Sequence, residues 1–203
     1  MSSGVLSLSD LDHGRVLTRE EFAQADYAEP FRYERHAGRL VVIPPATYEH
    51  HKTLEPIRNL LVVYSMGQSV VVKHVFQGAW TAIDAGTDRC PDIAVYLNTD
   101  EKHGQRIPGR IPDLAFEIVS QGWVNRKRDF HEKRGEYERM GVLEYVIVDQ
   151  FDHQVTVLKL GKRGYGETVL NPSDTYTSPL MPGLEIPLQE VIDEPCSKRS
   201  SST

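Results

Sequence analysis

Apolar and polar positions along the chain follow two different periods, and the changes of period mark its elements. Thr18, followed three residues later by Glu21, makes a capping-box pattern, so a short helix carrying Phe22 is predicted there. FRYERHAGRLVVIPP reads as a hairpin: strands over 31–35 and 39–43, a turn at His36-Ala37-Gly38, and a stop at Pro44-Pro45. Thr47 caps a long helix expected to run to about residue 65, with Leu54, Ile57, Leu61 and Tyr64 on one stripe. Pro56 lies inside that run and removes a helical hydrogen bond, so a kink or two consecutive helices are expected.

Beyond residue 68 the apolar runs shorten. SVVVKHVF and CPDIAVYL read as strands, the second carrying Cys90 and a proline at its mouth, and residues 114–119 as a third. A polar loop is expected over 101–111. NRKRDFHEKRGEYERMG is helical in pattern, with Gly141 as its C-cap. EYVIVD and QVTVLKL follow as strands around a turn at 150–153. After a further turn over 161–166, residues 167–170 can pair back. PLMPGLEIPLQEVI reads as a short strand and a closing helix. The order of elements predicts an α/β (α+β) fold, one mixed sheet with helices against it, over residues 16–194. Residues 1–15 are expected to be a flexible lead, and the Ser-rich 195–203 a disordered tail.

Composition adds exclusions. With 203 residues, 39% hydrophobic, the chain supports one sizeable core. No stretch approaches the ~20 apolar residues of a membrane helix, and the N-terminus lacks a secretory pattern, so a cytoplasmic protein is expected. Cys90 and Cys196 are too few for a disulfide scaffold or a zinc site, and the histidines show no zinc-ligand spacing. A net charge of −6 argues against a protein that coats nucleic acid. One local basic run, Arg126, Lys127, Arg128, Lys133 and Arg134, could still meet DNA, although such runs are more often solvated helix faces.

Three carboxylates interrupt apolar strands: Glu34, Asp92 and Glu117. Each could be paired with a cation of the protein, Glu34 for instance with Arg32 or Arg39 across the hairpin. Several converging on one point would repel each other unless a cation lay between them, and Mg²⁺, which favours hard oxygen ligands, suits such a place. Asp113 and Glu117 are four residues apart on one strand, about 13 Å, too far to share an ion. Asp92, on a separate strand, can stand beside Glu117 if the two strands pair, and Ala94 and Ala115 would leave room beside the acids.

These residues, in this order, resemble the PD-(D/E)XK nuclease superfamily, and within it the bacterial Uma-type restriction endonucleases. The resemblance runs from Glu34 before the Gly38 turn, through Glu49-His50 at a helix start, Asp92 in PDIAVYL and Glu117 in PDLAFEIVS. It continues to Asp129, Lys133 and Tyr137 in the following helix and to SPLMPGLEIPL near the end. It spans roughly residues 18–192. The superfamily's strand lysine would fall at Val119; Lys133 is the matching helix position. The family's Ser-Pro-Ser-Thr after the second acid is replaced by Ser120-Gln121-Gly122-Trp123-Val124, which changes the wall of the expected substrate channel and puts Trp123 at its rim or in the core.

The resemblance implies a restriction-endonuclease-like fold that hydrolyses DNA phosphodiesters. Asp92 and Glu117, with the Ile118 carbonyl, would bind Mg²⁺ or Mn²⁺, and a water would attack phosphorus in line with the departing 3′ oxygen. Lys133 would assist the water or the phosphate, although its spacing from Asp129 also fits an ordinary helix ion pair. Glu34 would be an outer acid and His50 a phosphate or water contact, whereas Tyr137 is expected in the core. Cutting both strands takes two sites, which makes a homodimer attractive, though no interface is legible. The rival expectation is a nuclease-fold binding or regulatory module without the chemistry.

Overall fold

The computed structural model describes residues 5–98 and 111–192. Chain entry is a two-residue strand β1 (Ser7–Leu8) and a helix α1 (Arg19–Gln24) capped by Thr18 and Glu21 as the pattern predicted. Strand β2 (Asp26–Tyr27) pairs in parallel with β1, and Leu8 is fully buried. The lead expected to be flexible is thus docked where it is described, because Leu8 packs with Leu17, Phe22, Tyr33 and Leu40 in a core of its own. The tail expected to be disordered and most of the 101–111 loop lie outside the described residues.

The hairpin forms from β3 (Arg32–His36) and β4 (Arg39–Ile43), turning at Ala37 and Gly38, both with positive φ as a two-residue hairpin turn requires. Next comes a single uninterrupted helix α2 (Tyr48–Gly67) with Pro56 inside it. The expected division into two helices does not occur. Leu54, Ile57 and Leu61 are all buried, and their packing fixes both sides of the proline more strongly than one missing hydrogen bond can separate them. The Thr47 hydroxyl accepts from the His50 amide at 3.2 Å and so fixes the turn that carries His50. Thr47→Ala is expected to cost about 1 kcal/mol, read as a lower urea midpoint at unchanged slope.

Strands β5 (Val72–Gln77), β6 (Thr81–Asp84), β7 (Thr87–Arg89), β8 (Ile93–Leu97) and β9 (Leu114–Ile118) follow. A continuous helical stretch comes next, made of α3 (Trp123–Lys127), a π-helical turn (Arg128–Lys133) and α4 (Arg134–Met140), with Gly141 as its left-handed C-cap. The remainder is β10 (Glu144–Asp149), β11 (Gln154–Gly161), β12 (Gly164–Leu170), β13 (Thr175–Ser178) and β14 (Met181–Pro187). The closing helix is only a 3₁₀ turn over Leu188–Glu190.

The main sheet is mixed, ordered β12-β11-β10-β9-β8-β5, with β9 and β10 parallel and every other pair antiparallel. A second sheet, β4-β3-β7-β6, stands beside it. Helix α2 and the β13–β14 hairpin cover one face through Ile93, Val95, Phe116, Val146 and Tyr176. Residues Tyr137 and Val142 cover the other through Ala115, Tyr145 and Ile147. Among the described residues no helix is long and apolar enough to cross a membrane.

Candidate active site

The antiparallel register of β8 and β9 pairs Ile93 with Phe116 and Ala94 with Ala115. One step further along that register Asp92 stands level with Glu117. Opposed residues of an antiparallel pair share a face, and their Cα atoms lie about 5 Å apart. That face also carries Ala94 and Ala115, both fully buried and both small, as the alternation implied. The two acids therefore come together at the C-terminal end of β9, with Ile118 beside them.

Asp92 is buried and its oxygens are fully engaged. Oδ1 accepts from Arg32 Nη1 at 2.6 Å; Oδ2 accepts from the Ile118 amide at 2.8 Å and lies 3.2 Å from His50 Nε2. Burial opposes its charge, but His50, the Arg32 guanidinium and the Ile118 amide outweigh that and hold the carboxyl well below the usual carboxylate range. Glu117 is placed differently. Its Oε1 accepts from Lys133 Nζ at 2.7 Å and from the Tyr137 hydroxyl at 3.2 Å. Burial, reinforced by the charges of Asp92, Asp129 and Glu34, exceeds the help from Lys133 and pushes this carboxyl up to about 8.

Glu117 thus keeps a proton at neutral pH that an unfolded chain has largely released above pH 4.5. A carboxyl raised in the folded state makes stability fall as pH climbs from the unfolded toward the folded value. For the cation-free protein the loss attributable to Glu117 between pH 5 and 7 is about 2 kcal/mol. Urea denaturation across that range should show the slope, and Glu117→Gln should flatten it. Asp92 and Glu34, both lowered, titrate below this window.

Lys133 reaches the acids from the π-helical turn and is 1% exposed. Its ammonium lies 2.7 Å from Glu117, 3.3 Å from Glu34 and 3.7 Å from Asp129. Burial works against that charge, but Glu117, Glu34 and Asp129 outweigh it and keep Lys133 protonated well above its ordinary value. The Asp129 pair and the Glu117 contact coexist, so the helix ion pair and the reach to the strand acid are one arrangement. Tyr137 is buried as expected, and it also donates to Glu117.

Glu34 pairs with neither Arg32 nor Arg39. It accepts from Arg89 Nη1 at 3.0 Å and from the Cys90 amide at 3.1 Å. Burial raises its carboxyl, and Lys133 with Arg89 more than reverse this, bringing it down to about 2. Arg89 is fully buried and also grips Glu136 through two nitrogens at 2.7 and 2.8 Å. Arg39 instead donates to the Gly14 carbonyl. His50, 3% exposed, is no surface histidine.

Sequence reading missed Arg89, Glu136 and the role of Arg32 as the partner of Asp92. Nothing in the period of TDRCPD marks Arg89, since a charged residue in a short strand looks solvated. The basic run proves not to be an open patch. Arg126 pairs with Asp149 and Asp152, Arg128 with Asp129, and Arg134 with Glu167, leaving Lys127 as its exposed member. Trp123 is 71% exposed and lies outside the core.

A cavity of about 360 Å³ opens at Arg32 and His50, the side-chain partners of Asp92, and is lined also by Glu49, Ser120, Gln121, Asn125 and Gln150 among others. Among the described residues no three or more His, Cys, Asp or Glu side chains form a metal-holding group by themselves. The acids that converge, Asp92 and Glu117, offer hard oxygens, few enough to suit an ion that keeps several of its waters, and the Ile118 main chain lies beside them with its amide on Asp92. Two buried carboxylates at one strand end, one of them forced to hold a proton, also fit a place where a dication is the missing charge.

The sequence matches the model of the Uma2 family, described as putative restriction endonuclease, over residues 19–189. No curated protein matches it. Among solved structures it is similar to a putative nuclease belonging to DUF820 from Anabaena variabilis. The two are 16% identical with a TM-score of 0.68, over 86% of this chain and 97% of that one, a likeness of fold.

Proposed function

The chain belongs to the Uma2 family of putative restriction endonucleases, and from that premise we propose that it hydrolyses DNA phosphodiesters with a divalent cation, Mg²⁺ or Mn²⁺. The observation that carries this reading is the pair of buried carboxylates, Asp92 and Glu117, level across β8 and β9 with a buried Lys133 against one of them. Asp92, Glu117 and the Ile118 carbonyl would hold the ion. When bound, such an ion polarises a phosphate oxygen and makes a water more acidic.

The chain's own residues supply the rest. Lys133 is a fixed positive charge beside Glu117, placed to stabilise negative charge growing on the phosphate. Glu34 and Asp129 hold its ammonium, and Arg89 in turn holds Glu34, so the lysine cannot wander. To serve as a ligand Glu117 would release its proton to solvent, the bound ion then supplying the balancing charge. His50 steadies Asp92 from the first turn of α2. The surrounding acidic protein, with its basic run internally paired, suits brief contact with DNA better than coating it. A cytoplasmic setting and a homodimer that cuts both strands complete the reading.

The test is incubation of supercoiled plasmid with purified protein and Mn²⁺ or Mg²⁺. Nicking that EDTA abolishes is the expected result. DNA binding with no turnover under either ion would favour the silent binding module instead.

A further inference from the structure

Arg89 and Arg35 are fully enclosed arginines that hold buried acids, and Arg32, which also holds one, differs from them. Arg89 spends its donors on Glu136, Glu34 and His36 and has no exposure. Arg35 donates to Asp88, to the Leu17 carbonyl and to the Ala85 carbonyl, and is likewise buried. Both are locked by several partners from different elements. Among the described residues Arg32 makes one hydrogen bond, from Nη1 to Asp92. Its Nε is buried with no partner among the described residues. Its side chain is 31% exposed and lines the 360 Å³ cavity.

That combination describes a guanidinium held by one contact, under-satisfied where it is, with open space beside it. It also holds Asp92, the acid assigned above to a divalent ion. A dication and a guanidinium on one carboxylate repel each other in a partly dry site, and Arg32, unlike Lys133 with its three acids, is held there by a single contact. That repulsion favours displacing Arg32, which has open space beside it. The cavity wall offers the neutral Ser120, Gln121, Asn125 and Gln150 and one carboxylate, Glu49, which is exposed to solvent, so an arginine turned into it meets no buried anion. A phosphate of the substrate strand supplies one, and the planar fork of a guanidinium suits phosphate oxygens better than it suits a single carboxylate oxygen.

We propose that Arg32 is an exchangeable stand-in for the cation: it occupies Asp92 while the site is empty, and it turns into the cavity to bind a backbone phosphate of the DNA when the metal enters. This rests on the metal-dependent reading above. The proposal gives Arg32 opposite effects on the two ligands. It competes with the ion and it recruits the substrate. An ion that must first displace it binds with an affinity reduced by the fraction of molecules in which Asp92 is free.

The experiment compares full-length wild type, Arg32→Gln and Asp92→Ala. Mn²⁺ binding without DNA is followed by electron paramagnetic resonance, and binding of a short fluorescent duplex under Ca²⁺ by anisotropy. Arg32→Gln is expected to bind Mn²⁺ about tenfold tighter than wild type and the duplex about tenfold more weakly. A purely structural arginine would not tighten metal binding when removed. Unchanged or weaker Mn²⁺ binding by Arg32→Gln, with binding lost in Asp92→Ala, overturns the proposal and leaves the metal reading standing. So does tighter Mn²⁺ binding with unchanged affinity for DNA. Mn²⁺ binding that survives Asp92→Ala overturns both. If Arg32→Gln does not fold, Arg32→Lys replaces it: the charge stays without the fork, and weaker binding of the duplex is expected, equal binding counting against the proposal.

Discussion

Asp92→Ala is expected to lower cation-dependent nicking of plasmid DNA by roughly 10³-fold or more, about 4 kcal/mol of barrier. The size follows from position. Asp92 is the lowered, permanently ionised member of the acid pair and meets three partners from three elements: Arg32 of β3, His50 of α2 and the amide of Ile118. No neighbouring carboxylate is free to replace it, since Glu34 is turned toward Arg89 and Lys133. Asp92→Asn serves as the companion because it keeps the shape and removes the charge. Single-turnover nicking by folded protein is the measurement. Rates within about tenfold of wild type for either variant would place the chemistry elsewhere.

Lys133→Met should be the most destabilising single change near the site, by about 3–5 kcal/mol. Removing the ammonium leaves Glu117, Glu34 and Asp129 buried around an apolar side chain. The loss is a large fraction of the total stability of an ordinary domain. It should appear as a marked fall in denaturation midpoint, and nicking by the fraction that remains folded should fall as well. The cause can be isolated by adding Glu34→Gln, which removes an ionised carboxylate left beside the gap. Part of the lost stability should return in the double variant, giving a coupling well beyond the few tenths expected of independent sites. Strict additivity would mean that the lysine acts through packing alone.

Elements whose period matches their burial were legible. The Thr18–Glu21 cap, the Gly38 hairpin, the stripe of α2 and the apolar β8, β9 and β10 all follow from local pattern. Strands β6 and β7 were not. Thr87, Asp88 and Arg89 look like a solvated turn, yet all three are buried, because Asp88 meets Arg35 and Arg89 meets Glu34 and Glu136. Those partners are about fifty residues away in sequence, and no local rule sees across that gap. The division into two helices at Pro56 did not follow for the opposite reason: the local rule was sound, and tertiary packing kept one helix across it. Cys90 and Asp92 were read into a strand that begins only at Ile93, which leaves Asp92 at its mouth, where a helix end can reach it.

In the candidate site the acids could be found because carboxylates are costly in apolar runs, and Lys133 through the family resemblance. The cations that answer them were harder. Arg32 and Arg89 lie in stretches rich in charge, where no single residue stands out, and their roles depend on which strands become neighbours. The π-helical turn was invisible as well, since its residues read as ordinary helix formers.

The lysine's place on a helix, with Val119 in the core where a strand lysine would stand, has a further meaning for how the site is assembled. Strands β8 and β9 bring the two acids face to face by themselves. Arg32 and His50 meet Asp92, but the ammonium that meets Glu117 arrives only when the 123–140 segment lies down on the sheet. The charge balance around Glu117 and Glu34 is therefore a property of a docked interface, and any partial lifting of that segment would undo it while the strands beneath remained intact.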